Sequence, residues 1–419
     1  MNFLICSVTA GEGHNSTANA IRTELENRGH ECTVLDTFDY ISPELAKIIS
    51  EGYLLVTEKA KYAYRLGYRF AERERKHPIR EILPEKLTEA FQDGRDELIT
   101  VTMTDDLADY IANGDFDVIL FTHPFAGALL AMMKRRGLIS IRTIGILTDF
   151  TFHPYWEQCT ANDYVVVPDH LLLPQARRKG FDDRQILPLG IPINPKFAVR
   201  TEKSEARRQL GLDENIPAFL LMGGSMGYGS LADHVRRIDA AEFTSNFQLI
   251  AVCGNNAKAK AEIGEFSKTS RHRILTTGFV DYVSLLMDAA DCIITKPGGL
   301  TTSESLAKEL PMIIVNPIPG QEERNTEFLL NNGCAMASTK TCPIEECIYQ
   351  LLSGETRLSS MRDCIRAIGK PNSTRDVCDF AINLAHTPLI RDRTEECCDS
   401  DIYIYHNGTF IKEPQEVSC

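Results

Sequence analysis

Residues 291–325 carry the pattern that most constrains the fold of this chain, DCIITKPGGLTTSESLAKELPMIIVNPIPGQEERN. Two short apolar runs, 292–295 and 312–316, have the length and composition of buried strands. Between them the sequence predicts a helix that starts near Thr301 or Thr302 and ends before a proline. A strand, a helix and a second strand in this order place the two strands parallel in one sheet.

Glycines and polar residues follow both strands, at the edge where open parallel sheets bind their ligands. Backbone N–H groups at a helix start favour a phosphate, and adjacent glycines let a ligand approach the backbone closely. We therefore expect a phosphorylated ligand here, with Ser303 and Glu304 in the first helical turn. The alternative is a plain connection whose glycines serve only turn geometry. The candidate ligand-binding residues are Lys296, Pro297, Gly298, Gly299, Thr301, Ser303, Glu304, Gln321 and Glu322.

Length, charge and cysteine usage limit the class of protein. A chain of 419 residues is too long for one core and predicts at least two domains. A formal net charge of −13 argues against nucleic acid as the main partner. Neither a secretory signal pattern nor an apolar stretch of about 18 residues occurs, so we expect no export and no membrane span. Thirteen cysteines without CxxC spacing predict free thiols in a reducing cytoplasm.

The N-terminal region has the same strand–glycine–helix order. Asn2–Val8 predicts a strand, residues 9–14 (TAGEGH) a glycine-rich loop, and the following residues a helix capped by Asn15 or Ser16. With a further strand at 31–36, this opening indicates a doubly wound α/β domain. The loop, which includes Gly13, has neither GxGxxG spacing nor a Walker lysine, so it supports neither dinucleotide binding nor a P-loop ATPase.

His14 ends that loop at the ligand edge of the first strand, where an unperturbed pKa near neutrality suits a general base. A loop histidine without a catalytic role is the alternative. Two later strands, 117–122 and 142–147, end at the same edge. The second of them delivers Asp149, which we expect to orient His14 or to share its proton.

Three more side chains near these strand ends are candidates for contact with an acceptor: His123, His153 and Trp156. The two histidines could instead cap the turns in which they lie. A DxD sequence at 115–117 falls at the opposite edge of the sheet, so we interpret it as a turn and expect no metal site.

A second domain is expected after a proline-rich linker near residues 189–195. A strand at 218–222 leads into a loop with four glycines, GGSMGYGS, and then into a helix. Such a loop can wrap its N–H groups around a diphosphate, although a structural tight turn is the alternative. The residues concerned are Gly223, Gly224, Ser225 and Gly227. A later turn at Phe279 and Val280 could present a backbone amide to a base edge.

Residues 61–80 form a predicted basic and aromatic helix. Its seven Lys and Arg residues against two Glu residues give a net charge of +5. Arg65, Arg69 and Arg73 repeat at helical spacing, with Tyr68 between them. In a protein this acidic, such a helix indicates a surface that binds anionic lipid. The alternative, which the sequence supports equally, is a solvent-exposed helix face whose arginines pair with acidic residues elsewhere in the protein.

The C-terminal region predicts three helices, at 343–352, 356–368 and 372–384, followed by a polar tail. Within the tail, two short apolar runs flank Asn407-Gly408, which is a strong signal for a hairpin between residues 401 and 412. We have no functional explanation for this hairpin.

Five separated segments together resemble one enzyme family: TAGEGHNSTANAI, TDFTFHPYW, GGSMGYGS, KPGGLTTSE and PGQEERN. They are similar to the monogalactosyldiacylglycerol synthase and processive diacylglycerol glucosyltransferase family, and more distantly to the transferase that adds N-acetylglucosamine to lipid I. The resemblance covers roughly residues 1–386. It implies the GT-B fold, with two Rossmann-like doubly wound domains facing across a cleft, and a UDP-sugar as substrate rather than a bound cofactor.

The resemblance also implies domain boundaries. Residues 1–190 would form the acceptor-side and membrane-side domain, 191–200 the linker, and 201–370 the UDP-sugar domain. Residues 371–386 would return to the first domain, and 387–419 would be the tail.

Roles for particular residues follow from the same resemblance. His14 would be the base, Ser225 and its glycine loop would hold the diphosphate, and Glu304 would bind the ribose. Gln321 and Glu322 would hold the sugar hydroxyls, and the turn at 278–280 would meet the uracil. The family transfers a hexose to diacylglycerol with inversion and without a metal. The implied location is peripheral, on the cytoplasmic face of the cell membrane, with the basic helix as the docking element.

Three other functions remain open from the sequence. The chain could use another lipid or polyprenyl acceptor, could be a UDP-sugar 2-epimerase of the same fold, or could bind a nucleotide sugar without turnover. The sequence does not distinguish glucose from galactose or N-acetylglucosamine.

Overall fold

The computed structural model describes residues 1–8, 12–37, 96–223, 231–243, 245–387, 403–406 and 409–412. Two six-stranded sheets dominate it, and every strand pair within them is parallel. The expected pair of Rossmann-like domains is therefore confirmed. The predicted basic helix at 61–80, with Arg65, Tyr68, Arg69 and Arg73, lies outside the described residues, as do Gly224, Ser225 and Gly227.

The first sheet has the strand order β2-β1-β3-β4-β5-β6. Its strands are β1 (Asn2–Ser7), β2 (Glu31–Asp36), β3 (Val118–Phe121), β4 (Arg142–Ile146), β5 (Tyr164–Val166) and β6 (Ile186–Leu187). The associated helices are α1 (Glu12–Asn27), α2 (Asp96–Asn113), α3 (Pro124–Arg135) and α4 (Leu173–Arg178). The strand order reverses between β1 and β3, so a ligand crevice is expected beyond the carboxyl ends of these two strands.

The second sheet has the order β12-β11-β10-β7-β8-β9, with its reversal between β7 and β10. Its strands are β7 (Ala218–Met222), β8 (Gln248–Val252), β9 (Arg273–Thr277), β10 (Cys292–Thr295), β11 (Met312–Ile314) and β12 (Ala335–Ala337). The helices are α5 (Lys203–Gln209), α6 (Leu231–Ala240), α7 (Ala257–Phe266), α8 (Val283–Ala289), α9 (Gly299–Ala307), α10 (Gln321–Asn331), α11 (Ile344–Leu352) and α12 (Glu355–Ile368).

Alternate residues of the central strands pack on opposite faces of each sheet. Leu4 and Cys6 of β1 belong to one buried cluster, whereas Phe3 and Ile5 belong to another. Both faces are therefore covered by apolar side chains, which explains why these strands appear in the sequence as continuous apolar runs rather than alternating ones.

A last helix, α13 (Ser373–His386), leaves the second half of the chain and packs on the first sheet. Val377, Phe380 and Leu384 of this helix join the buried cluster that contains Phe3 and Ile5 of β1. The chain therefore passes twice between the two sheets, once through residues 191–200 and once before α13.

The two segments that connect the sheets are hydrogen-bonded to each other. The Ser373 hydroxyl donates to the carbonyl of Ile191 at 2.8 Å, and Thr374 donates to the carbonyl of Ile193. Ile191 and Ile193 are themselves buried in the core of the second half. The start of the linker, residues 191–193, is thus a packed apolar segment, whereas residues 194–196 and 199–200 are exposed.

The C-terminal hairpin is confirmed as an antiparallel pair, β13 (Tyr403–His406) with β14 (Thr409–Lys412). Across the ranges that the structure describes, no helix combines the length and the apolar character needed to cross a bilayer.

The two halves touch through the segment that follows β4. A Cβ added to Gly299, the first residue of α9, would lie 1.8 Å from the carbonyl oxygen of Thr148. Next to this contact the rings of Phe150 and Phe328 lie 5.0 Å apart. Gly299 therefore accommodates the backbone of the other domain, which is a reason for this glycine that the sequence did not indicate.

Gly299→Ala is expected to force the two halves apart, because the added methyl group cannot share space with a backbone carbonyl. We expect a loss of stability of about 1–3 kcal/mol and faster hydrogen exchange at the Phe150 amide. Gly298→Ala is the matched control, since a Cβ there meets nothing within 4 Å. Thermal unfolding and amide exchange measure both effects. Equal behaviour of the two variants would contradict the contact.

Candidate active site

His14 lies in the first turn of α1, not at the end of a loop as predicted. The helix begins at Glu12, three residues before the expected cap at Asn15. Asn15 does not cap the helix, because its side-chain oxygen accepts a hydrogen bond from the hydroxyl of Ser7 at 2.8 Å. His14 therefore stands on a rigid element at the crevice between β1 and β3.

The backbone of Thr122 fixes the orientation of the His14 ring. Nδ1 of His14 lies 2.7 Å from the carbonyl oxygen of Thr122 and 3.3 Å from the Thr148 hydroxyl. A carbonyl oxygen can only accept, so Nδ1 must carry the hydrogen. In the neutral ring the lone pair then belongs to Nε2, which is the nitrogen able to take a proton.

His14 and Asp149 influence each other's protonation. Burial lowers the pKa of His14 from its usual 6.5, while the Asp149 charge and the Thr122 carbonyl oppose that change. Burial also raises the pKa of Asp149, against the opposing effects of Asn325 and His14. His14 is therefore a neutral base at pH 7 with an acidic group nearby. Because Thr122 contacts Nδ1, the orienting role that we considered for Asp149 belongs to the Thr122 carbonyl.

His123 and His153 cap short helices. His123 is the cap of α3, where its Nδ1 accepts from the amide of Phe125 at 3.1 Å. His153 accepts from the amide of Tyr155 at 3.4 Å, before the 3-10 helix Pro154–Cys159. Burial lowers the pKa of both rings, that of His153 to about 3. The capping alternative therefore describes both residues, although the His123 ring also lies 4.7 Å from that of His14.

Trp156 is only 2% exposed and packs against Phe121 and Phe152 in the core of the first half. We expected it on a surface that contacts an acceptor or a membrane. The structure corrects that placement, because the indole fills the space beneath β3 and β4 where no ligand can reach it.

On the second sheet, helix α9 begins at Gly299 with Gly298 as its cap, two or three residues earlier than predicted. Ser303 and Glu304 consequently lie beyond the first turn, and this expectation was wrong. The Ser303 hydroxyl is already used, since it donates to the carbonyl of Gly299 at 2.8 Å. The first-turn positions belong to Gly299, Leu300 and Thr301.

Glu304 carries a strongly perturbed carboxyl group. Burial raises its pKa to about 8, and the positive charge of Lys196 opposes that effect only in part. The side chain is therefore largely protonated at pH 7 in the free protein. A buried carboxyl group without a full counter-charge is typical of a binding site that a ligand completes.

Helix α10 begins after Gly320, whose φ of +91° requires a glycine. Gln321 is its first residue and is partly exposed. One carboxylate oxygen of Glu322 accepts from the amide of Ile318 at 2.6 Å, so this side chain holds the preceding turn.

Asn325, also on α10, was not among the predicted site residues, although it lies in the PGQEERN segment. It is completely buried, and its amide reaches both halves of the chain. Its Nδ2 donates to the Asp149 carboxylate and to the Pro297 carbonyl, each at 2.9 Å, and its Oδ1 accepts from the Phe150 amide at 2.8 Å.

The remaining candidates lie at strand ends of the second sheet. Phe279 is 70% exposed after β9, and Val280 is partly buried. Lys296 and Pro297 follow β10, and Gly223 follows β7. Gly13 adjoins His14 on α1, where an added Cβ would meet nothing within 4 Å. Within the described parts of the chain, no group of three or more His, Cys, Asp or Glu residues is arranged to hold a metal ion.

Two family models match this chain, one on each half. Residues 14–193 match the model described as monogalactosyldiacylglycerol (MGDG) synthase. Residues 218–376 match the model described as the glycosyltransferase family 28 C-terminal domain.

Two curated relatives carry the same name. A processive diacylglycerol beta-glucosyltransferase of Bacillus pumilus is 27% identical over 378 residues, which are 89% of this chain and 92% of that protein. A relative of the same name from Bacillus cereus is 26% identical over 387 residues, covering 91% of this chain and 94% of that protein.

Solved structures share the fold. Acinetobacter baumannii MurG matches with a TM-score of 0.61 at 15% identity, covering 91% of this chain and all of that one (100%). The UDP-GlcNAc 2-epimerase of Neisseria meningitidis matches with a TM-score of 0.55 at 13% identity, over 91% and 100% of the two chains. With both halves matched in order along nearly the whole length of the curated relatives, the chain is a GT-B glycosyltransferase whose two halves resemble monogalactosyldiacylglycerol synthase and the glycosyltransferase family 28 C-terminal domain.

Proposed function

We propose that this protein transfers a hexose from a UDP-sugar to the hydroxyl group of 1,2-diacylglycerol, with inversion at the anomeric carbon. The observation that carries the proposal is the His14 ring, whose Nδ1 contacts the Thr122 carbonyl and whose Nε2 holds the lone pair. This base stands at the crevice of the first sheet, beside the segment that touches α9 of the second. The names of the curated relatives support the choice of diacylglycerol.

In the proposed reaction, Nε2 of His14 takes the proton of the acceptor hydroxyl as that oxygen attacks the anomeric carbon. A new carbon–oxygen bond forms on one face of the sugar while the bond to UDP breaks on the other. UDP leaves with the electron pair, and the N-terminal ends of α9 and α10 stabilise its negative charge. The carboxylate of Asp149 stabilises the imidazolium that forms.

The donor sugar nucleotide would lie along the carboxyl ends of β7, β10 and β11. In this arrangement Glu304 accepts the ribose hydroxyls, and the turn at Phe279 and Val280 meets the uracil. Gln321 and Glu322 contact the sugar. The loop from Gly223 to Gly227, with Ser225, is assigned to the diphosphate together with the first turn of α9.

A lipid acceptor implies that the protein works at a membrane surface. We assign it to the cytoplasmic face, bound peripherally to anionic lipid through the basic sequence at 61–80, whose net charge is +5. Membrane docking and the acceptor therefore belong to the same half of the molecule as His14.

UDP release from UDP-glucose and UDP-galactose tests the function, measured with and without anionic vesicles that contain diacylglycerol. The proposal expects release only when vesicles and diacylglycerol are both present, and the faster substrate identifies the sugar. Release without any acceptor would indicate an epimerase or a hydrolase instead. Release of UDP with polyprenyl phosphate but not with diacylglycerol would identify polyprenyl phosphate as the acceptor.

His14→Ala is expected to lower kcat by roughly a hundred- to ten-thousandfold, because the acceptor hydroxyl loses its base. Binding of the UDP-sugar, measured by calorimetry, should be largely kept because His14 lies on the other half of the molecule. Unchanged turnover in this variant would remove the base assignment.

The pH profile of kcat, measured at saturating UDP-sugar so that the ionisation of Glu304 does not limit the rate, gives a second test of the same base. Since the pKa of His14 is lowered from 6.5, its neutral form persists into more acidic solution. The acidic limb of the profile should therefore lie below pH 6.5. Asp149→Asn removes the charge that opposes this shift, so it should move the limb further down and lower kcat. An acidic limb with an apparent pKa above 6.5 would contradict the lowered pKa of His14.

Affinity for UDP-glucose is expected to rise as the pH increases through about 8, the raised pKa of Glu304. Only the ionised carboxylate can accept both ribose hydroxyls, and it must first lose its proton. Below that value the affinity should increase by roughly tenfold per pH unit. Calorimetry on Glu304→Gln should find an affinity for UDP-glucose that does not depend on pH in this range. Glu202→Gln, an exposed control, should keep the pH dependence of the unmodified protein. A slope that survives in Glu304→Gln would exclude the ribose contact.

A further inference from the structure

The buried amide of Asn325 has only one orientation that satisfies its neighbours. The Asp149 carboxylate and the Pro297 carbonyl both accept, so they require the NH2 group, while the Phe150 amide requires the oxygen. The three partners come from different places: Asp149 and Phe150 from the first half, and Pro297 from the loop before α9. A side chain of another length or polarity would leave at least one of these groups without its partner.

Among the side chains that the structure describes, Asp149 is the acidic group whose charge acts on His14, and the Asn325 amide bonds to it. Its hydrogen bond favours the ionised form of Asp149 against the effect of burial. The Asp149 charge in turn favours the protonated form of His14. The other ionisable rings at this edge are His123 and His153, and the proximity of His14 lowers the pKa of His123. Neither neighbouring ring supplies a negative charge, so Asp149 is the acidic group that can stabilise the imidazolium.

The contact also depends on how the two domains meet. Asn325 is on α10 of the second half, whereas Asp149 is on the first, and the same segment carries the close contact of Thr148 with Gly299. If the domains separate, Asp149 and Phe150 lose their amide partner together. The hydrogen bond that favours ionised Asp149 in this buried setting is therefore made only when the sugar-nucleotide half is in contact.

We propose that Asn325 is a positioning residue for the transfer reaction: when the two domains are in contact, it donates to the Asp149 carboxylate and so favours a negative charge near the base in the closed molecule. This inference rests on the proposed function, in which His14 accepts the proton of the acceptor. Asn325 itself touches neither the sugar nor the acceptor in this scheme. It acts through Asp149, and it ties the strength of the base to closure of the cleft.

Asn325→Ala should lower kcat by roughly ten- to hundredfold, which corresponds to one lost hydrogen bond to a charged group. The Kd for UDP should change much less, since Asn325 is assigned no contact with the nucleotide. Asn331→Ala is the matched control, because Asn331 is exposed on the same helix. Circular dichroism and the Kd for UDP establish that each variant is folded.

Asn325→Asp separates positioning from packing, because its shape is nearly the same. At high pH the introduced carboxylate repels Asp149, whereas at lower pH its protonated form can donate to Asp149 as the amide does. Its kcat relative to the unmodified protein should therefore rise as the pH falls from about 8 to about 6. A ratio that does not change with pH, or full activity in Asn325→Ala, would overturn the proposal.

A measurement without substrate keeps this test independent of the acceptor. The pKa of His14, followed by NMR on histidine-labelled protein and assigned with His14→Gln, should be lower in Asn325→Ala than in the unmodified protein. An unchanged value would overturn the coupling even if the transfer activity is present. A lowered value would support it even if diacylglycerol proves to be the wrong acceptor.

Discussion

The hydrogen bonds that Asn325 makes with Asp149 and Phe150 are the interaction on which the rest of this site depends. Each half of the chain has its own sheet and its own buried clusters. The proposed transfer needs both halves, because His14 stands at the first sheet and the helix starts proposed to bind the diphosphate stand at the second. Three consecutive residues, 148–150, contact the second half through a backbone carbonyl, a carboxylate and a backbone amide.

Most of the fold could be predicted because local sequence and tertiary structure agree. The strands at 31–36 and 292–295 match the predicted bounds, and the C-terminal helices differ by one or two residues. The exceptions have a common cause. Helix α1 starts early because Asn15 bonds to Ser7, and α9 starts early because Gly299 can approach Thr148. Both depend on a distant backbone or side chain, which a local pattern does not contain.

The site could be predicted only in part. His14, Asp149 and Glu304 could be proposed from the sequence because an ionisable side chain at a strand end or helix start is a recognisable signal. The Thr122 carbonyl that fixes the His14 tautomer left no signal, because any residue supplies a carbonyl. Trp156 was misplaced because an aromatic residue near a strand end has the same sequence signature in a core as on a surface. Asn325 would have been found by asking which polar residue of PGQEERN is buried by both domains.

The return of α13 to the first sheet determines the order in which the protein can fold during synthesis. The second half is contiguous, so it can form its sheet as soon as it has left the ribosome. The first half cannot, because the cluster around Phe3 and Ile5 stays open until Val377, Phe380 and Leu384 arrive. The domain translated first is therefore completed last, and its unfinished apolar face must stay protected while more than half of the chain is still being made.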